Sequence, residues 1–205
     1  MNFIHLIISH LHFNFLSFGT LLAMAFLVFL SVFLLTLKNK SRSTLHLGIA
    51  FLFLSLFMLG YLYAAAVYHP IAAYHRYFTT FWVLPTIVHI GLWGFNYPEN
   101  RTPRFAKGFA IGGWVVAIIA EIFFIINTYS VPKKFHFTGH YWDFDAEPIS
   151  KAFGLLIMLY SVVGFIVIPA WKVIITKTKE RWSILQMGLG FLVAATVPNI
   201  TNVLS

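Results

Sequence analysis

The feature that most constrains this chain is a series of apolar stretches, each about 18 to 24 residues long, separated by short polar turns. A helix needs about 20 residues to cross a hydrocarbon layer of about 30 Å, so each stretch is long enough to span a membrane. Hydrophobic residues make up 60% of the 205 residues and charged residues only 10%. A water-soluble domain of this size buries too little surface to hide so many apolar side chains. The sequence therefore predicts an integral membrane protein.

The predicted fold is an all-α, polytopic transmembrane helix bundle that forms a single domain over residues 1–205. Helices are expected because a lipid-exposed backbone must satisfy its own hydrogen bonds. A membrane β-barrel would show segments of about ten residues in which apolar and polar residues alternate, and the sequence lacks them. The longest connection is an outer loop at residues 130–150. The six spans are predicted at residues 15–37, 47–68, 77–95, 109–129, 152–175 and 184–204.

Basic residues fall mainly in the turns that follow the first, third and fifth spans. Because cytoplasmic loops carry the excess of Lys and Arg, this pattern places the N-terminus outside. The same rule accounts for the net charge of +8, so nucleic acid is not a predicted partner. The chain has no cysteine, which excludes disulfides, thiolate metal sites and cysteine nucleophiles.

The C-terminal end of the chain has no polar anchor after the sixth predicted span. With six spans, both termini would lie on the outer side of the membrane. We therefore expect the chain to be a fragment of a longer protein, in which a seventh span returns to the cytoplasm.

Two ionisable side chains lie deep in the predicted spans, His89 in the third and Glu121 in the fourth. Intramembrane ionisable residues are functional candidates because burying a charge in hydrocarbon is costly. By residue count their depths differ by about 7 Å, so a direct pair would be strained. We favour the simpler interpretation that both are neutral and bonded to neighbouring hydroxyls or carbonyls. No second buried histidine is predicted opposite His89, which argues against a bis-histidine haem.

The outer loop alternates aromatic and polar residues around Thr138-Gly139, which predicts a short hairpin lying over the helix ends. Histidine titrates near neutral pH, so this face is a candidate for proton sensing or metal binding, although the ligand types have no recognised metal spacing. Interfacial aromatic loops also tolerate histidine without any function, and we favour that interpretation while leaving the metal question open. No cofactor is predicted. The sensing candidates in this loop are His136, His140, Trp142, Asp143 and Asp145.

Three prolines lie inside predicted spans and are hinge candidates: Pro85, Pro169 and Pro198. Each removes one backbone hydrogen bond and can kink its helix. Separately, Gly108-x-x-x-Gly112, with Gly113 beside it, predicts a close approach between two helices.

Three segments carry a resemblance to a known family. They are the basic turn Leu37-Lys38-Asn39-Lys40-Ser41-Arg42, the segment Phe95-Asn96-Tyr97-Pro98-Glu99-Asn100 after the third span, and the aromatic loop Gly139-His140-Tyr141-Trp142-Asp143-Phe144. Together with an outside N-terminus, they resemble the N-terminal seven-transmembrane sensor region of bacterial signalling proteins. That region precedes histidine kinases, PP2C-type phosphatases and nucleotide cyclases. The resemblance covers nearly the whole chain.

The resemblance implies a sensory input domain in the bacterial inner membrane, without enzymatic chemistry of its own. It would relay an extracytoplasmic or intramembrane stimulus to a C-terminal cytoplasmic effector such as a kinase, phosphatase or cyclase. The implied partners are the lipid bilayer and this effector, with a homodimer left open. One alternative is a small transporter or channel with a polar path lined by His89, Glu121, Asn199 and Asn202. Another is an enzyme that acts on lipids or uses a metal at the outer face, which would need His136, His140 and Asp143 to converge.

Overall fold

The computed structural model of the chain describes residues 3–129, 131–145, 149–176 and 180–204. Over these residues the chain is a helix bundle with one small hairpin, which confirms the predicted all-α class. A 3-10 turn, Pro70–Tyr74, precedes α4, and a π-helical segment, Val163–Val167, joins α6 to α7. The helices are α1 (Phe3–Ser9), α2 (Phe15–Thr36), α3 (Arg42–Ala66), α4 (His75–Asn96), α5 (Pro103–Tyr129), α6 (Ile149–Val162), α7 (Ile168–Ile175) and α8 (Glu180–Leu204).

Five helical stretches within the described residues are long and apolar enough to cross a membrane. They overlap the first five predicted spans and run over Phe15–Thr36, Arg42–Ala66, Pro70–Asn96, Pro103–Tyr129 and Lys151–Ile175. The sixth predicted span, 184–204, falls within α8, but the side chains at 192 and from 194 onward lie outside the described residues. The sixth span therefore stays a prediction.

Side-chain caps fix where the first two spans begin. Asn14 accepts a hydrogen bond from the Ser17 backbone N–H, and Ser17 Oγ accepts one from the Asn14 backbone N–H, which forms a capping box at the start of α2. Ser41 accepts from the Thr44 backbone N–H and caps α3 in the same way. Because the Ser41 cap lies in the basic turn, α3 begins at Arg42, before its apolar stretch.

The helix at the centre of the bundle is α4. In the most apolar 18 residues of Pro70–Asn96, 72% of the residues are buried. The corresponding part of Phe15–Thr36 is only 11% buried. Close packing depends on small residues, since a Cβ added to Gly113 of α5 would lie 2.5 Å from the Val88 methyl. Gly108 and Gly112 have open space where a Cβ would stand, so Gly113, and not the predicted Gly108/Gly112 pair, makes the close approach.

The predicted hairpin is present between α5 and α6. Strands β1 (Phe135–Phe137) and β2 (Trp142–Phe144) are antiparallel, and Gly139 in the turn has a φ of +93°, which favours glycine. Phe144 is buried and packs on Ala73 and Phe124 at the ends of neighbouring helices. We call this the hairpin end of the bundle, and the opposite end, which holds the turns 37–41 and 97–102, the basic end.

Candidate functional site

The hairpin is joined to the start of α4 by an ion pair between Asp143 and Arg76. Arg76 Nε lies 2.5 Å from Asp143 Oδ1, and Arg76 Nη2 donates to Asp143 Oδ2 at 2.6 Å. Asp143 is only 4% exposed, and its Oδ1 also accepts from the Phe144 backbone N–H at 2.8 Å. The guanidinium stands 5.5 Å from the Phe144 ring centroid. Two parallel contacts to a planar guanidinium fix orientation as well as distance, so the hairpin has a defined position over α4.

An aromatic cluster surrounds this ion pair. The buried His75 ring lies 5.4 Å from both the Tyr61 and the Tyr141 rings, measured between centroids. Burial raises the pKa of the Tyr141 hydroxyl, and the negative charge of Asp143 raises it further, while Arg76 acts in the opposite direction. The Tyr141 hydroxyl therefore stays protonated to a higher pH than that of a free tyrosine.

The remaining loop candidates do not join Asp143 in a common site. His136 Nδ1 lies 3.4 Å from Asp145 Oδ1, and both side chains are largely exposed. His140 is exposed in the turn, and the Trp142 ring packs 5.7 Å from the Phe137 ring. Within the parts of the chain that are described, no three His, Asp or Glu side chains converge as metal ligands. Asp143 faces Arg76, so the proposed set of His136, His140 and Asp143 is not assembled.

Glu121 is buried in the half of α5 towards the hairpin end, and is 6% exposed. Neither carboxylate oxygen has a hydrogen-bond partner among the described residues. The Thr80 side chain of α4 faces this carboxyl, but its hydroxyl donates to the Arg76 carbonyl at 2.7 Å. A carboxylate without a counter-ion is costly in hydrocarbon, so the neutral form is the one that this environment accommodates.

His89 has a partner that the sequence analysis did not predict. His46, from the first turns of α3, places its Nδ1 3.3 Å from the Nδ1 of His89. The sequence analysis predicted no second buried histidine opposite His89, and the structure places a half-buried one, His46, at that position. Haem still does not fit between them, because a porphyrin cannot pass between two nitrogens in hydrogen-bond contact. The Phe53 and Trp114 rings enclose His89 edge to face, with centroids at 5.3 and 6.1 Å.

His89 and Glu121 belong to two separate polar sites. Glu121 faces Thr80, and Thr80 and His89 are nine positions apart on α4, or about 13 Å along the helix axis. A direct pair between His89 and Glu121 is thus not formed. The other two residues of the proposed transport path, Asn199 and Asn202, have side chains outside the described residues.

The hinge candidates lie in different settings. Pro85 is buried inside α4, and Pro169 lies in the first turn of α7, directly after the π-helical segment. A Cβ added to Gly188 of α8 would come within 3.0 Å of Pro169, so α7 and α8 are in close contact there. Pro198 falls within α8, but its side chain is outside the described part of the chain.

A second set of polar contacts closes the basic end. Lys172 of α7 is 1% exposed, and its Nζ donates to the Glu99 carbonyl at 2.5 Å. Arg101 Nη1 donates to the Ile175 carbonyl at 2.8 Å. The turn after α4 is thus bound to the last turn of α7. The positive-inside pattern counted these residues only as charges near the cytoplasmic ends of their spans, because their carbonyl partners carry no signal in the sequence.

Comparison with known proteins gives no family assignment. No protein-family model matches the chain, and a search of curated proteins finds no match. The architecture is that of a membrane helix bundle, and the sensor family stays a prediction.

Proposed function

We propose that the chain is a membrane-embedded sensory input domain that relays a stimulus across a bacterial inner membrane to a cytoplasmic effector. In this proposal the hairpin end faces outward and the basic end faces the cytoplasm, in line with the positive-inside rule. The observation that carries the proposal is that α4 is bound at both ends. One end holds the hairpin through Arg76 and Asp143, and the turn after the other end holds α7 through Glu99 and Lys172.

The input half of the relay is the hairpin and its contact with α4. The Asp143 carboxylate is held between the Arg76 guanidinium and the Phe144 N–H. A stimulus that moves β2 must break these contacts or pull Arg76 with them. Either event changes the position or packing of the first turn of α4.

The middle of the relay is the contact between α4 and α7. Val88 and Leu92 of α4 pack in one buried cluster with Ile168 of α7. A Cβ added to Gly94 would lie 2.9 Å from Ile168, so there is little free space between the two helices. Packed interfaces of this kind change between discrete arrangements, because close-packed side chains do not deform continuously.

The output half is the turn after α4 and the end of α7. Lys172 and Arg101 donate to backbone carbonyls across this junction. A shift of α4 along its axis therefore acts on the end of α7, and through Gly188 and Pro169 on α8. An effector docked at the basic end, which faces the cytoplasm in this proposal, would receive this displacement.

The test measures whether breaking the hairpin contact moves the basic end. Because the chain has no cysteine, two introduced cysteines are its only thiol-labelling sites. Spin labels at the exposed positions Arg104 and Trp182 report the distance between the starts of α5 and α8. Asp143→Asn is expected to shift this distance by about 1–2 Å, the scale of helix shifts in signalling transitions.

Asp145→Asn is the matched control, because Asp145 is an exposed carboxylate in the same loop, and its Oδ1 lies 3.4 Å from Nδ1 of the likewise exposed His136. It is expected to leave the distance between the labels unchanged. If Asp143→Asn frees the hairpin while that distance stays the same, α4 does not act as a relay and the proposal is wrong.

Transport is the alternative, favoured by the buried Glu121 carboxyl, whose oxygens have no hydrogen-bond partner in the described part of the chain. Flux in liposomes that contain the purified chain would distinguish the two functions. Flux that Glu121→Gln abolishes supports transport. A wild-type chain without flux, combined with the label shift above, supports the sensory domain.

A further inference from the structure

We propose that His46 and His89 form a binding site for a transition-metal ion of the zinc and copper class, between α3 and α4. This inference is independent of the sensory function, because metal binding is measured directly on the purified chain. The starting observation is that two helices each supply one imidazole, and that the two Nδ1 atoms meet at 3.3 Å.

The spacing of the two nitrogens matches a shared metal ion. Zinc–imidazole bonds are about 2.0–2.1 Å long, and zinc sites are tetrahedral. Two such bonds at a tetrahedral angle place their nitrogen atoms about 3.3 Å apart. The His46 and His89 Nδ1 atoms already stand at this distance. An ion binds both once the proton of their hydrogen bond has moved to Nε2 of the same ring and the two Nδ1 lone pairs have turned towards the ion, with no change in the separation of the helices.

The surroundings hold the His89 ring in place. Phe53 and Trp114 approach it edge to face, at interplanar angles of 81° and 85°. His89 is 8% exposed, whereas His46 is half-buried near the start of α3. An ion would therefore reach the pair from the basic end, along His46.

The ligand set favours particular metals. No third His, Asp or Glu joins the pair within the described ranges, so the remaining coordination positions are left for water or an added ligand. Imidazole suits zinc, copper and nickel, whereas magnesium and calcium need oxygen ligands. Arg42, one turn before His46, adds a positive charge nearby, so the site is expected to be weaker than a three-histidine centre.

The experiment uses the full chain in nanodiscs, stripped with a chelator and titrated with Zn²⁺. Bound zinc is measured by mass spectrometry after gel filtration. Cu²⁺ serves as a second probe, because it quenches the fluorescence of tryptophans near it and Trp114 lies beside His89. The variants are His46→Gln and His89→Gln, in which an amide replaces the imidazole. The matched control is His10→Gln with His69→Gln, a histidine pair at the hairpin end with ring centroids 4.8 Å apart.

The wild type is expected to bind one zinc ion per chain, and each single variant to lose about tenfold or more in affinity. The control should bind like the wild type. Equal binding in all variants, or loss only in the control, would overturn the proposal and leave the pair as a shared hydrogen bond. If His89→Gln does not fold, as judged by circular dichroism and gel filtration, His46→Gln at the half-buried position decides the question.

Discussion

Arg76 and Asp143 are 67 positions apart in the sequence, yet two contacts of 2.5 and 2.6 Å join their charged groups. Through this pair, a loop between α5 and α6 is held on the first turn of α4. The carboxylate is almost fully buried, so its stability in the fold depends on the guanidinium.

Asp143→Asn is expected to free the hairpin without unfolding the bundle. The substitution removes the charge-assisted contacts between Asp143 and the Arg76 guanidinium, and hydrogen bonds to charged groups contribute about 1.5–3 kcal/mol. Hydrogen exchange of the amides in β1 and β2 should therefore accelerate, while the amides of α4 stay protected. Asp145→Asn, at an exposed position, should change this local stability by less than about 0.5 kcal/mol. Equal acceleration in both variants would show that the ion pair does not hold the hairpin.

Glu121→Gln is expected to leave the fold intact and to keep or raise the unfolding temperature. A neutral amide has nearly the same shape as a protonated carboxyl, and it removes any need to bury a charge without a partner. Thermal unfolding in detergent, followed by circular dichroism, measures the effect. A drop of several degrees would mean that the carboxylate is charged in the fold and has a counter-ion.

Tyr141 is expected to make the hairpin sensitive to alkaline pH. Its folded-state pKa is raised above the ordinary value of 10.0 by burial and by Asp143. Its contribution to stability is therefore fully present below about pH 10 and is lost as the pH rises through the folded-state pKa. Tyr141→Phe should weaken this pH dependence of hairpin stability, measured by hydrogen exchange between pH 8 and about 11. If hairpin stability depended on pH in the same way in the wild type and the variant, the Tyr141 hydroxyl would not be buried in the fold.

Gly113→Ala and Gly112→Ala are expected to differ although the two positions are adjacent. A Cβ at Gly113 would meet the Val88 methyl at 2.5 Å, so alanine there should destabilise the bundle by about 1–3 kcal/mol. A Cβ at Gly112 meets open space, and alanine there should be neutral or stabilising by up to about 1 kcal/mol. Unfolding of the two variants in the same detergent provides the comparison. A larger loss of stability for Gly112→Ala than for Gly113→Ala would mean that Gly112, and not Gly113, lies on the packed face of α5.

Hydropathy alone predicted the fold class and the approximate position of five helices, because crossing a membrane requires long apolar stretches. It set the start of the second span at residue 47, whereas α3 begins at Arg42. The Ser41 cap starts α3 among polar residues at the membrane boundary. A hydropathy window does not detect these residues, because they are helical without being apolar. The alternating aromatics also predicted the hairpin correctly, since strand periodicity is a local property.

The candidate sites were predicted less completely. Glu121 and His89 stood out because ionisable residues are rare in apolar stretches, but their partners are set by which helix faces meet. His46 lies one residue before the predicted second span, so hydropathy does not place it inside the membrane. Its contact with His89 depends on the rotation of α3 against α4, which no local pattern in the sequence records.

The π-helical segment Val163–Val167 has a geometric consequence for the span that contains it. A π turn holds more residues than an α turn, and one additional residue rotates everything after it by about 100° around the helix axis. The faces of α6 and α7 are thus out of phase, although the two helices form one continuous rod. If the π turn moved by one position along this span, one residue would turn a different side towards α4. Both ends of the span would stay where they are.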